Sequence, residues 1–246
     1  CWGDNTFGQL GVGPNVMPPL VRTTGADRCG TTFCSATPTI VDFMRGLPFV
    51  QGQVYDNDAI AVTGLGAGGG FCALMTTGHV KCWGLNSLNQ LGSGTDALNG
   101  PEICATQACS TYPDYVREAT GTLTGGTRQL DHVTSIISGV GANSFCAIRS
   151  ATTDGTSGSV IRCWGDETSG ALGDGITSGR ANLARPVVSP SGTGELDRVV
   201  TLVGAGSATF ARQQTEGSFA ESYSSYCAVE AWGGVVCWGD NTLGQL

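Results

Sequence analysis

The tripeptide Cys-Trp-Gly occurs four times in this chain of 246 residues, and its spacing constrains the fold more than any other feature. The copies begin at Cys1, Cys82, Cys163 and Cys237, which are 81, 81 and 74 residues apart. A recurring period indicates a repeat protein, in which each unit packs on its neighbours because it cannot bury a core alone. The chain is therefore predicted to contain three full units with partial units at both ends.

Each unit carries four kinds of segment in the same order. A proline (Pro38, Pro113 or Pro186) is predicted to open the first strand, because proline is tolerated at a strand's first residue. A Gly-x-Gly segment led by β-branched residues, a Cys-Ala segment and Cys-Trp-Gly supply the other three strands. Four short strands with glycine-rich turns are the content of a propeller blade. We assign residues 1–13 to the end of a preceding blade, and residues 14–94, 95–175 and 176–246 to three repeat units.

The cysteines of the third and fourth strands recur with a fixed spacing. If Cys72 lies opposite Cys82, the hairpin ends in a three-residue loop whose last residue, Gly78, suits the left-handed conformation of such a turn. Directly opposed residues of an antiparallel pair bring their Cβ atoms to about 4.5 Å, near the separation found in a disulfide. The spacing therefore predicts three cross-strand disulfides, Cys72–Cys82, Cys146–Cys163 and Cys227–Cys237.

Two further cysteine pairs, Cys29 with Cys34 and Cys104 with Cys109, have C-x4-C spacing. Zinc sites favour C-x2-C spacing and reduced thiols, so we predict two disulfides that pin their loops. Cys1 is left over, and by the ten-residue rule its partner is expected ahead of the first residue, in an adjoining segment. Disulfides at this density imply an oxidising compartment, so the chain is predicted to be secreted, extracellular or on a cell surface.

The string CWGDNTFGQLGVG at residues 1–13, preceded in later units by an aromatic-Cys-Ala segment and a hairpin, resembles the repeat of the regulator of chromosome condensation family. It is most similar to the cysteine-bearing version in bacterial secreted and surface proteins. The resemblance implies a seven-bladed propeller. Three units cannot close such a ring alone, so the chain is expected to be all-β, with four-stranded, disulfide-stapled blades that do not form a closed ring by themselves. The sequence is compatible with a piece of a larger propeller, an open array of blades, or a structure completed by several chains. The third copy departs from the pattern at Glu167 and Ala171, and the second at Asn89.

Composition excludes several classes of function. Twenty acidic and 12 basic residues give a net charge of −8, which disfavours nucleic acid as a partner. No run of 18 apolar residues is present, so a membrane-spanning helix is not expected.

No constellation of residues indicates catalysis, a cofactor or a metal. Gly64-x-Gly66-x-x-Gly69 matches a dinucleotide fingerprint, but no helix pattern follows it, and a strand turn is favoured. The two histidines, His79 and His132, are predicted to be structural, because Arg198 takes the place of His132 in the next unit and no triad partner is evident. The acidic segment 56–58 lacks the glycine and terminal glutamate of a known calcium loop, so a solvated turn is favoured.

The tryptophans of the Cys-Trp-Gly copies are predicted to pack between blades, although a stacked platform for sugars is an alternative. Trp232 differs, because it stands at a hairpin tip, and it is the one aromatic residue expected at a contact surface.

The first ten residues match the last ten at nine positions, but match the two internal copies at only six and seven. A super-repeat of 236 residues would produce that ordering. We therefore predict a non-enzymatic extracellular structural or adhesive repeat protein, one segment of a longer array or fibre. Its expected partners are copies of itself or neighbouring repeat segments, or another extracellular protein. The alternative is a protein-binding module, such as a secreted inhibitor or a receptor-like protein, that uses one face of a closed ring.

Overall fold

The regular elements described by the computed structural model are β-strands, apart from one 3-10 turn at Thr168–Gly170. The structure describes residues 1–13, 27–29, 32–44, 56–65, 69–94, 102–120, 126–139, 143–151, 158–207 and 223–246. Its strands are β1 (Gly3–Asp4), β2 (Asp27–Cys29), β3 (Thr32–Ser35), β4 (Ala59–Gly64), β5 (Gly70–Met75), β6 (Val80–Leu85), β7 (Glu102–Cys104), β8 (Gln107–Tyr115), β9 (Arg117–Ala119), β10 (Thr127–Gln129), β11 (Val133–Ser138), β12 (Ser144–Ala151), β13 (Gly158–Asp166), β14 (Arg180–Pro186), β15 (Val199–Ser207), β16 (Tyr223–Glu230) and β17 (Val235–Gly239).

These strands form four sheets of the propeller-blade type. Within the four sheets, hydrogen-bonded strands follow the orders β1-β3-β2, β4-β5-β6-β8-β7, β10-β9-β14-β13-β12-β11 and β15-β16-β17. Neighbours pair antiparallel, except for one parallel contact between β9 and β14. The sheets follow one another in an arc that does not close into a ring. The predicted all-β class and open arrangement of blades are confirmed.

The hairpins have the predicted register. Cys72 lies opposite Cys82, and Leu74 lies opposite Val80 beside the three-residue loop. The glycines at the last loop position, Gly78 and Gly233, have φ angles of +83° and +90°. Because a side chain is strained in that region, glycine is the residue that lets the two strands meet in a tight turn.

The sheets are out of phase with the sequence units. The strand that carries each proline pairs with the Cys-Trp-Gly strand of the preceding unit, so β8 joins β6 and β14 joins β13. The prediction that proline opens these strands is wrong for two of the three units, since Pro113 lies within β8 and Pro186 ends β14. Residues 39–44, the described residues that directly follow Pro38, form no strand. β8 and β14 have strands on both sides, but Pro113 lies in the register irregularity between Ser110 and Asp114, and a bulge of this kind tolerates the missing N–H of proline.

The hydrophobic cores lie between successive sheets. One cluster joins Leu74 and Val80 of the second sheet to Phe145 of the third, and another joins Ile161 of the third sheet to Leu202 of the fourth. A smaller cluster around Trp83 packs Cys1, Val41 and Phe43, which lie outside the strands of the first sheet, on the second sheet. Blade-to-blade packing therefore holds the arc together.

Candidate functional site

The turn after each Cys-Trp-Gly copy is built by its own side chains. In the first copy one carboxylate oxygen of Asp4 accepts the Thr6 hydroxyl at 2.7 Å, and the other accepts Nε2 of Gln9 at 3.0 Å. The side-chain oxygen of Asn5 accepts the backbone N–H of Leu10 at 3.0 Å. The last copy forms the same bonds with Asp240, Thr242, Gln245, Asn241 and Leu246. The turn is therefore a preformed local structure that the recurring sequence specifies.

Each turn receives the tryptophan of the following unit. The indole N–H of Trp83 donates to the carbonyl of Gln9 at 2.9 Å. In the next two junctions Trp164 donates to Gln90 at 3.1 Å, and Trp238 donates to Ala171 at 3.2 Å. The three indoles are buried, with exposed fractions of 1%, 0% and 9%. We call this arrangement the tryptophan junction.

A glycine makes the close approach possible at every junction. Gly11, Gly92 and Gly173 have φ angles of +65°, +59° and +66°. A Cβ atom on Gly92 would lie 2.6 Å from the Trp164 ring, and one on Gly173 would lie 2.8 Å from the Trp238 ring. On its other side each indole stacks on the aromatic residue that precedes Cys-Ala, at centroid distances of 5.9 to 6.0 Å. The prediction that these tryptophans pack between blades is therefore correct for the last three copies.

The second turn leaves buried polar atoms without hydrogen bonds. Leu85 stands where the first and last copies have aspartate, so Nε2 of Gln90 loses the acceptor that the other turns provide. Asn89 stands where the first copy has glycine, and its φ angle is +62°. Its side-chain oxygen is also buried without a hydrogen-bond partner.

The third turn contains a pair of buried carboxyl groups. Glu167 replaces the asparagine of the other copies, and Asp174 stands seven residues later. Nη1 of Arg185 donates to both, at 2.8 Å and 3.0 Å. Burial, then the hydrogen bond and charge of Asp174, raise the pKa of Glu167 to about 7, and Arg185 opposes this shift. The pair therefore holds a proton near neutral pH.

Two residues of the repeat are more exposed than their counterparts in the other copies. Trp2 is 69% exposed, unlike the three buried tryptophans. Leu246 is 49% exposed, whereas its counterpart Leu10 is 1% exposed. β17 pairs only with β16, so its other edge carries no strand among the described residues.

The structure brings most of the predicted cysteine pairs together. Disulfides join Cys72 to Cys82, Cys146 to Cys163, Cys227 to Cys237, and Cys104 to Cys109. Cys34 is also disulfide-bonded, and the side chain of Cys29 lies outside the described part of the chain. Cys1 has a free thiol of intermediate exposure.

The two histidines lie apart, each beside an aspartate. Nδ1 of His79 lies 3.0 Å from the Thr77 hydroxyl and 3.3 Å from Asp56. Because the same nitrogen faces both groups, this histidine cannot pass a proton from one to the other as in a hydrolase triad. His132 lies 3.1 Å from Asp131, and both His132 and its counterpart Arg198 have positive φ angles, of +56° and +54°. The shared left-handed backbone conformation agrees with the structural role predicted for this position from the exchange of His132 for Arg198.

Metal-binding residue types converge at one place in the described residues, at Glu102, Cys104 and Cys109. The two cysteines form one disulfide and so offer no thiolate. In the segment proposed as an alternative calcium loop, Oδ1 of Asp56 accepts the Thr77 hydroxyl at 2.6 Å. In the glycine-rich segment, Gly64 ends β4 and Gly70 begins the antiparallel β5, while Gly66 lies outside the described residues.

The hairpin tip of the fourth sheet presents an exposed aromatic ring. Trp232 is 60% exposed, and the guanidinium carbon of Arg198 lies 5.6 Å from the ring centroid. The structure therefore places Trp232 where the sequence predicted a contact residue, and it adds a cationic neighbour.

A cavity of about 530 Å³ lies beside β9 and β14 in the third sheet. Its buried Glu118 accepts hydrogen bonds from Arg128 at 2.7 Å and Arg162 at 3.1 Å. Arg162 also binds Glu195 at 2.8 Å. Because these charges are paired, the cavity wall is an ion-pair network that ties β9 and β10 to β13.

A scan against protein-family models found no match, and a search of curated proteins found no relative. Among solved structures, the chain resembles Prp20p from Saccharomyces cerevisiae, which was studied for binding to Gsp1p and histones, with 14% identity and a TM-score of 0.45 over 77% of this chain and 34% of that one. It also resembles yeast RCC1 (Prp20) bound to Kap60, with 15% identity and a TM-score of 0.45 over 77% of this chain and 33% of that one. A third similar structure is that of human WBSCR16, with 17% identity and a TM-score of 0.47 over 96% of this chain and 41% of that one. The chain spans about a third of the yeast structures' length.

Within the described residues, no helix has the length and apolar character needed to cross a membrane.

Proposed function

We propose that this chain is a non-enzymatic segment of an extracellular structural or adhesive repeat array, in which each segment joins the next as its own units join. The observation that carries the proposal is the tryptophan junction, which recurs three times with the same indole–carbonyl hydrogen bond between successive units. Disulfides in four described blades or loops favour an oxidising compartment and hence secretion.

The unpaired edge of β17 indicates what a neighbour would supply. In the second sheet the Cys-Trp-Gly strand pairs Gly84 with Ser110 of the following unit. The first sheet contains the matching pair Gly3 with Ser35, but its Cys-Ala strand is missing from the described residues. Among the described residues the last sheet contains the three inner strands, β15, β16 and β17, and no outer strand. A shared Cys-Trp-Gly strand would complete both sheets as one blade.

A tandem protein tests this proposal directly. Residues 1–236 followed without a break by residues 1–246 place the second Cys1 at the position of Cys237. We expect this protein to unfold at a higher temperature than two complete copies joined by a flexible Gly/Ser linker, because repeat stability grows with the interfaces made. We also expect one free thiol in the seamless protein and two in the linked control, since the internal Cys1 would bond to Cys227.

Equal melting temperatures for the two proteins would contradict the proposed array. Small-angle X-ray scattering supplies an independent measurement, since a continuous array should be longer and stiffer than two linked copies. Peptide mapping without reduction should recover Cys29 joined to Cys34 in both proteins.

The second candidate function is a protein-binding module that uses one face. The exposed Trp232 beside Arg198 favours it, because tryptophan and arginine are enriched at binding hot spots. A seamless tandem that behaves as two independent copies, with a Trp232→Ala variant that folds normally but loses a protein partner, would favour this function over the array.

A further inference from the structure

Four strands of the third sheet bring one row of side chains to the wall of the cavity. Arg128 of β10 pairs with Glu118 of β9, and Glu118 pairs with Ala184 of β14. Two residues further along β14, Pro186 pairs with Arg162 of β13. Paired residues of neighbouring strands share a face of the sheet, and so do residues two apart in one strand. These five residues therefore lie on one face, and all of them line the cavity.

The buried Arg162 binds two carboxylates. Its Nε donates to Glu118 at 3.1 Å. Its Nη1 and Nη2 donate to the two oxygens of Glu195, at 2.8 Å and 3.2 Å, which is the bidentate geometry of a guanidinium group on a carboxylate. The side chain of Arg162 is 8% exposed, whereas that of Glu195 is 36% exposed. Two donors of a buried arginine are therefore covered by a carboxylate that borders solvent.

Glu195 stands at the end of a turn that is surrounded by solvent. Gly192 and Gly194 have φ angles of +75° and +74°, and a Cβ atom on either would meet nothing within 4 Å. Among the described residues, the side chain of Glu195 bonds to Arg162 alone. Its carboxylate can therefore leave for water without breaking any other side-chain contact in this part of the chain.

The rest of the cavity wall suits a molecule with hydroxyl groups. The side-chain amide of Asn182, which offers two donors and an acceptor, has no hydrogen-bond partner within the described ranges. Thr120 adds a hydroxyl group, and Leu183 adds apolar surface for C–H groups. The volume of about 530 Å³ lies within the range of about 300–1,000 Å³ that small-molecule sites occupy. A simple carboxylate such as acetate would fill only a small part of it.

We propose that this cavity binds a hydroxylated carboxylate of monosaccharide size, a sugar acid, whose carboxylate replaces that of Glu195 on Nη1 and Nη2 of Arg162. One carboxylate is exchanged for another, so the buried guanidinium group keeps a charged partner throughout. Asn182 and Thr120 then bind hydroxyl groups of the ligand. The site does not depend on the proposed array, because none of these residues belongs to a tryptophan junction.

Glu195 competes with the ligand because it is tethered beside Arg162. Tethering gives its carboxylate an effective concentration of about millimolar, so a free sugar acid binds the unmodified protein weakly. Removing the charge of Glu195 leaves two donors of Arg162 without a charged partner. Affinity for the ligand should therefore rise when this residue is neutralised.

Calorimetric titration of the full chain with sodium glucuronate tests the site. Glu195→Gln keeps the shape of the side chain and removes its charge, so we expect a Kd lower by about tenfold or more than that of the unmodified protein. Asp197→Asn is the matched control, because it removes the same charge from a side chain of similar exposure, 37%, that does not line the cavity. This control should bind glucuronate as the unmodified protein does.

Three comparison ligands separate the parts of the site. Glucose lacks the carboxylate and should not bind. Acetate lacks the hydroxyl groups and should bind Glu195→Gln more weakly than glucuronate does. Adding Asn182→Ala to Glu195→Gln should weaken glucuronate binding and leave acetate binding unchanged. Methyl glucuronide, whose anomeric oxygen is blocked as in a polysaccharide, distinguishes a sugar residue of a polymer from the free acid.

Three results would overturn the proposal. One is a Glu195→Gln protein that is folded by circular dichroism and does not bind glucuronate at about 10 mM. Another is the same gain in affinity with Asp197→Asn as with Glu195→Gln, since a general effect of net charge does not need Glu195. The third is equal binding of glucose and glucuronate, since the carboxylate would then not be recognised. The seamless tandem measures contacts between segments, so either proposal can fail while the other stands.

Discussion

Raising the pH from about 5 to about 7 should destabilise the third tryptophan junction and leave the other two unchanged. The third turn contains Glu167 and Asp174, which share Nη1 of Arg185. The turn also receives Trp238 through the Ala171 carbonyl. Once Glu167 loses its proton, two buried negative charges face one guanidinium group, and the turn that seats Trp238 is weakened.

The size of the effect follows from proton linkage. The pKa of Glu167 is raised from its ordinary value of 4.5 to about 7. A raised carboxyl pKa means that the folded state binds the proton more tightly than the unfolded state, so stability is highest below 4.5 and declines as the pH rises towards 7. The difference corresponds to about 3 kcal/mol, and Glu167 is only 3% exposed, so solvent screening is small.

Urea unfolding at about pH 5 and about pH 8 measures this change. Glu167→Asn is the matched control, because asparagine occupies this position in the other three copies and cannot titrate. We expect the unmodified chain to lose about 3 kcal/mol more than the variant over this pH range. Parallel pH dependence in the two proteins would refute the assignment to this carboxyl pair.

Four further substitutions have defined outcomes. Leu85→Asp should stabilise the chain by about 1 kcal/mol in urea unfolding, because it gives buried Nε2 of Gln90 the acceptor it lacks. Gly92→Ala should cost more than about 2 kcal/mol, since its Cβ would lie 2.6 Å from an indole atom, whereas Gly175→Ala, with a φ of +88° and open space, should cost about 1 kcal/mol. Trp232→Ala should change thermal stability by less than about 0.5 kcal/mol, because the side chain is 60% exposed, and a larger loss would place it in the core.

Much of the fold could be predicted from the sequence because the same short-range sequence pattern recurs in several units. A ten-residue spacing of cysteines around a glycine fixes a hairpin, since both the turn and the register depend on residues within one short segment. The packing role of the tryptophans also followed from their regular recurrence.

The phase of the sheets could not be predicted in this way. Each strand alone can pair on either side, and the sequence order of the four segments suggested that one unit forms one sheet. The structure instead pairs Cys82 of one unit with Asp114 of the next. The outer position of the proline-bearing strand was decided by packing between units, which no local pattern encodes.

The sequence by itself determined the hairpins, the cysteine pairs and the turns, because these rest on contacts between residues close along the chain. Only the tertiary structure decided which carbonyl each indole meets, since Trp83 and Gln9 are 74 residues apart. It also decided that Glu167 binds a proton near neutral pH, because that depends on burial and on Asp174 and Arg185 being brought beside it. Long-range contacts of this kind form when blades stack. The free energy of stacking depends on pairs of neighbouring units and not on one segment alone.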